Sequence, residues 1–148
     1  MDSHDDCPAV DTVRRFWELL EARDWTSARA LLGEGLVVDL PATGERFTSS
    51  DAFLEFNATY PDGWTIQVQR VVCGGPSVTP SGEAAHLVVS EVQVPQEGAG
   101  VFAVAQFAWV RRTQMVAARE FWVTCAGEQP PPWRAHLTER YDGLLAQQ

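Results

Sequence analysis

The stretch AAREFWVT, residues 117–124, sets a glutamate among residues that favour a β-strand. Side chains alternate faces along a strand, so Glu120 shares a face with Ala118 and Trp122, while Arg119, Phe121 and Val123 share the other. Two readings follow from this parity. On an enclosed face, Glu120 is a carboxyl whose burial lifts its pKa toward the working pH, which suits general acid–base chemistry. On an open face, it is a surface charge paired with an arginine such as Arg119, Arg111 or Arg112.

Other residue types around it add to the first reading. In SSDAFLEFNATY, Phe53, Phe56, Asn57 and Tyr60 fall on one helical face. A phenol on that face could donate to a developing enolate or alkoxide. The bland alternative is a core tyrosine with its hydroxyl at the rim. Trp17, Phe53, Phe56, Phe107, Trp109 and Trp122 supply enough ring surface to line a pocket for a flat hydrophobic metabolite, or simply to fill a core. No two of the three histidines have metal-ligand spacing and no Cys/His cluster occurs, so no metal is expected. Nucleophile-elbow, phosphate-loop and dinucleotide motifs are all missing, so no bound cofactor is expected either.

These groups need a scaffold, and 148 residues suffice for one domain with a sizeable core. A formal charge of −9 argues against nucleic acid or an anionic membrane as partner. All 11 basic residues are arginine, as a high-GC bacterial gene would give. Cys7, Cys73 and Cys125 are far apart and odd in number, which reads as free thiols in a cytoplasmic protein. The acidic start MDSHDDCPAV has no apolar run and does not read as a signal peptide.

Along the chain, residues 1–8 read as a loose tail. PAVDTVRRFWELLEARDW carries Val10, Val13, Trp17 and Leu20 at helical spacing, and TSARALLG reads as a short second helix capped by Thr26. GLVVDLP is a short strand and SSDAFLEFNATY the third helix. WTIQVQRVVCG, EAAHLVVSEVQVP, GVFAVAQFAWVRR and MVAAREFWVT are four successive strands, with GGPSVTPSG as a loop and short links that make the last three antiparallel neighbours. WRAHLTERYDGLL reads as a terminal helix after PPPW. Helices first and strands after give an α+β class.

This order resembles the nuclear transport factor 2-like superfamily, which includes SnoaL-type polyketide cyclases, ketosteroid isomerases and limonene epoxide hydrolases. The resemblance runs over residues 9–125, leaving 126–148 as a Pro-rich loop and C-terminal extension. RRFWELLEARDWTSARALLGEGLVV looks like the family's opening, and AWVRRTQMVAAREFW like its final hairpin, with RRTQ where Asp-Gly is usual. It implies a cone-shaped, strongly curved antiparallel sheet wrapped around three N-terminal helices and enclosing a pocket. REFW is similar to the Arg-Asp-Tyr-Phe stretch of epoxide hydrolases, with Glu120 at the pocket aspartate. VVDLP stands where their water-holding Tyr-x-Asn-x-Pro does, and EVQV where Arg-x-Asp does. The tyrosine and the arginine are missing. By this placement Asp39, Glu91 and Glu120 face one cavity, with Gln93 beside Glu91. The alternatives are a strand-end turn contact for Asp39 and a solvated strand charge for Glu91. The resemblance therefore implies cofactor-free proton-transfer chemistry on a small hydrophobic metabolite, or a non-catalytic binding domain of the same shape. The apolar outer sheet face, with Phe121 and Val123, leads us to expect a homodimer.

Overall fold

The computed structural model describes residues 7–125 and 127–141. Helix α1 (Pro8–Glu21) starts on a proline, whose fixed φ suits the first turn. Its apolar stripe turns Val13, Phe16, Trp17 and Leu20 fully inward. Burying each of these side chains stabilises the fold by roughly 1.5–3 kcal/mol. Arg23, with φ at 58°, lets the chain leave α1 through a left-handed residue. Asp24 then caps α2 (Trp25–Ala30), its carboxylate accepting from the Ser27 N–H at 3.1 Å. The cap is therefore Asp24 rather than Thr26. Helix α3 (Ser50–Thr59) is capped by Ser49, whose hydroxyl accepts from Ala52 N–H at 3.1 Å. Pro61 follows and stops it.

Six strands form one curved, unclosed sheet: β1 (Leu32–Leu40), β2 (Glu45–Phe47), β3 (Gln67–Val78), β4 (Ala84–Gln96), β5 (Gly100–Arg111) and β6 (Gln114–Thr124). Their spatial order is β2-β1-β6-β5-β4-β3. The β1–β6 pair is parallel and every other pair antiparallel. Register shifts in the β3–β4 and β5–β6 ladders add local twist and help the sheet bend. The main core lies between the inner sheet face, with Leu36, Val38, Val88, Val92, Val104 and Met115, and the helices. A smaller cluster of Ala85, Trp109 and Ala117 sits apart from it, with Leu87, Phe107 and Val116.

Several local expectations need correction. GGPSV continues β3 as far as Val78, because its partners in β4 extend that far. The short strand β2 pairs with the end of β1 and is too brief to show periodicity. Between Pro132 and Leu137 there is a single 3-10 segment with no buried residue, so no apolar stripe supports a longer helix there. The rest of the expected terminal helix, and His4 in the tail, lie outside the described residues. Cys7 and Cys73 form a disulfide between the start of α1 and β3, leaving Cys125 as the free cysteine among the described residues. The free-thiol expectation fails because α1 packs along β3, which brings together two residues 66 apart in sequence. One ground for a cytoplasmic location fails with it. No described helix is long and apolar enough to cross a membrane.

Candidate functional site

A small cavity lies between the inner sheet face and the helices. Trp17 of α1, Phe56, Asn57 and Tyr60 at the end of α3, Val94 of β4, and Glu120 and Trp122 of β6 line it. Trp64 and Ile66 close it from the α3–β3 link. Its volume is about 20 Å³, room for a water-sized guest and little more.

That link is held firmly. Gln96 donates through Nε2 to the carbonyls of Pro61 and Asp62 at 3.1 and 2.9 Å. The Arg23 guanidinium stacks on the Trp64 ring, 3.3 Å from its centroid, and donates to the Trp64 carbonyl at 2.6 Å. Glu21 accepts from Ile66 N–H at 2.7 Å. The α1 terminus and its left-handed exit thus fix one wall of the cavity.

Glu120 is 3% exposed. Its Oε1 accepts from Trp122 Nε1 at 3.0 Å and its Oε2 from Gln106 Nε2 at 2.7 Å. No cation lies within ion-pair distance among the described residues. Burial pushes the Glu120 carboxyl above the usual glutamate range, and the two N–H donors pull it only part of the way back. The carboxyl is therefore held by two neutral N–H groups in an aromatic surrounding.

The neighbours of Glu120 are set by register. Gln106 lies directly opposite it on β5, and Ser90 directly opposite Gln106 on β4. Directly opposed residues share a face, so the three make a polar row across the inner sheet. Ser90 and Gln106 are wholly buried. Trp17 Nε1 donates to Ser90 Oγ at 3.1 Å, so an indole N–H stands at each end of the row. Neither Ser90 nor Gln106 was singled out from the sequence. A lone amide in the apolar run VFAVAQFAWV was the available signal for Gln106.

The other expected carboxylates lie elsewhere. Leu36 and Val38 take the inner face of β1, which turns Asp39 outward. There Arg46 donates to it from Nε at 2.6 Å and from a terminal nitrogen at 3.1 Å. This pairing holds the Asp39 carboxyl below the usual aspartate range. Likewise Val88, Ser90 and Val92 take the inner face of β4, so Glu91 is exposed and pairs with Arg70 at 2.8 Å. The three carboxylates do not share a cavity: Glu91 is an exposed strand charge, and Asp39 pairs with Arg46 across the β1–β2 ladder rather than with the turn that follows it. Gln93 shares the outer parity of Glu91, yet it is buried. Phe107 also faces outward, edge-on to Phe121 at 6.0 Å, and Trp109 lies in the smaller outer cluster. Phe53 is core, stacked on Phe16 at 6.0 Å. Trp17, Phe56, Asn57, Tyr60 and Trp122 do meet Glu120 around the cavity. Among the described residues no three His, Cys, Asp or Glu side chains cluster to hold a metal.

Comparison with known proteins agrees with this fold. The SnoaL-like domain model matches residues 13–119, from within α1 to the middle of β6, and ends one residue before Glu120. The chain belongs to the SnoaL-like family. A candidate ketosteroid isomerase from Kribbella flavida is similar over 93% of this chain and 92% of its own, with a TM-score of 0.75 and 28% identity. A candidate polyketide cyclase from Xanthomonas campestris matches over 78% of this chain and 90% of its own (TM-score 0.56, 21% identity). An epoxide hydrolase from M. tuberculosis, of the limonene epoxide hydrolase-like kind, matches over 78% and 82% (TM-score 0.54, 16% identity). At these lower identities the likeness speaks for the fold alone. A comparison with curated proteins gives no match.

Proposed function

We propose that this SnoaL-like protein is a cofactor-free acid–base enzyme acting on a small hydrophobic metabolite, with Glu120 as the proton-transfer group. One observation carries the reading: a buried carboxyl, with no cationic partner among the described residues, opens onto an aromatic-lined cavity. A structural ion pair would hold such a group ionised, whereas here burial without a cation favours its protonated form. As a base, Glu120 would take a proton from carbon or water. As an acid, it would return the proton to a second carbon in an isomerisation, or give one to oxygen in a cyclisation, dehydration or epoxide opening. Tyr60, lining the same cavity, is the candidate donor to a developing oxyanion. Asp39 and Glu91 have no part in this reading, since they face away from Glu120. The name of the 28% identical relative, a candidate ketosteroid isomerase, supports the class of chemistry.

The test is solvent-deuterium uptake into hydrophobic ketones with acidic α-protons, and ring opening of hydrophobic epoxides, for wild type and Glu120→Gln. Loss of a general acid–base group is expected to cut turnover by a factor on the order of 10². Equal turnover by the two proteins would end the assignment.

A second reading, a non-catalytic binding domain, is favoured by the cavity's size. At about 20 Å³ it admits a metabolite only if side chains such as Phe56, Tyr60 or Trp122 swing aside. Ligand binding without exchange or ring opening would identify that case. We also propose a homodimer through the outer face, where Phe121 and Val123 are 41% and 60% exposed. Sedimentation as a clean monomer at high concentration would count against it.

A further inference from the structure

Gln106 is a puzzle as a core residue. It is wholly buried, and its Oε1 has no hydrogen-bond partner among the described residues. An unsatisfied buried amide oxygen costs stability, and an apolar side chain of similar size would avoid the cost. The other end of the same amide donates to Glu120 Oε2 at 2.7 Å, a short, charge-assisted bond when the carboxyl is ionised. The geometry points to a reason for keeping the amide.

We propose that Gln106 is a positioning residue for Glu120, its amide fixing the carboxyl's orientation and turning over when the carboxyl changes protonation. The inference rests on Glu120 being the proton-transfer group. A carboxylate only accepts, so it needs the amide nitrogen toward it. Once Oε2 carries a proton it must donate, and the same amide rotated by half a turn presents its unpartnered oxygen. Both protonation states are then hydrogen-bonded with no backbone movement. Neither a leucine nor an arginine at position 106 would serve both states: one offers no partner, and the other offers only donors. Trp122 Nε1, which only donates, stays on Oε1 throughout, so the exchanged proton belongs on Oε2.

Few other charges bear on the pair. Of the residues lining the cavity with Glu120, Tyr60 from α3 is the other titratable one. Trp17 from α1, Val94 from β4 and Trp64 from the link carry no charge. Beyond Trp64 and Ile66, Arg23 and Glu21 pair with each other at 3.5 Å.

The experiment follows the Trp122 indole N–H and the Gln106 side-chain amide by nitrogen–proton NMR across a pH series, with no substrate present. In wild type both signals are expected to shift with one common midpoint, and Glu120→Gln is expected to abolish that transition. Gln106→Met, close in size but without a donor, is expected to raise the Trp122-reported midpoint by about one pH unit or more, as loss of one hydrogen bond to a charged group implies. A Gln106 amide signal that stays still through the Trp122 transition overturns the proposal, and this arm needs only the wild-type protein. An unchanged midpoint in a folded Gln106→Met protein overturns it as well. Because no turnover is measured, a missing catalytic activity would leave this result standing, and a static amide would leave Glu120 free to act without Gln106.

Discussion

Glu120 and Asp39 sit one strand apart on the parallel β1–β6 pair, and the sheet treats them in opposite ways. Asp39 is level with Arg119 on the outer face, where Arg46 reaches it through solvent and lowers its pKa. Glu120, one residue beyond Arg119, faces inward among tryptophans, and its pKa is raised. Glu91 repeats the outer pattern with Arg70. The chemistry of each carboxyl follows from the face of the strand it occupies. On the outer face water and an arginine stabilise the charge, while on the inner face two neutral N–H groups hold it and proton uptake becomes favourable.

The comparison is broken most severely by moving a charge across the sheet. Val38 is fully buried beside Asp39. Val38→Asp puts a second carboxylate on the inner face without a partner and is expected to cost about 3–5 kcal/mol, read as a lower urea midpoint. A loss no larger than that of a surface substitution would mean that the inner face is open to water. Smallest are the outer carboxylates. Asp39→Asn and Glu91→Gln remove solvent-screened pairs with exposed arginines, and each is expected to leave the thermal midpoint within the scatter of repeated melts at neutral pH. Turnover should be unaffected too. A large loss in either variant would show that the outer face contributes to function.

How much of this was legible in the sequence differs from strand to strand. On β6 the alternation of Ala118, Glu120 and Trp122 against Arg119, Phe121 and Val123 separates two faces, but each carries one charge and one large ring, so parity alone leaves both orientations open. On β1 and β4 the same rule was available: Leu36, Val38 and Leu40 share one parity, and Val88, Val92 and Val94 share another. The family placement put Asp39 and Glu91 inward against that alternation, and the apolar parity prevailed, since burying Val38 and Val92 outweighs keeping a polar position. The polar row itself was not legible. A two-residue hairpin at Arg112 and Thr113 pairs Arg111 with Gln114 and, counted back evenly, sets Gln106 against Arg119. The register shift near Val110 adds one residue to β6 and brings Glu120 opposite Gln106 instead. Nor does the strand pattern foretell that Cys7 meets Cys73, which depends on how α1 lies along β3. The order of the three helices and the long strands, by contrast, was legible from periodicity and turn residues, and it carried the family, while the three-residue β2 was not.

The central claim is that Glu120 is a buried carboxyl with no compensating cation, and the pH dependence of stability tests it most directly. Burial raises the native pKa above the unfolded value, so between those values the native state holds the proton more tightly. Stability contributed by Glu120 is therefore fully present below the unfolded pKa and is lost as pH rises through the native one. Urea unfolding of wild type and Glu120→Gln, at matched conditions from about pH 4 to 8, spans the ordinary glutamate pKa and the range above it. The account predicts that wild type loses stability relative to Glu120→Gln as pH rises, with the variant at least as stable at neutral pH. A constant difference, or a wild type that gains on the variant with rising pH, would mean that Glu120 is solvated or ion-paired and would contradict the site.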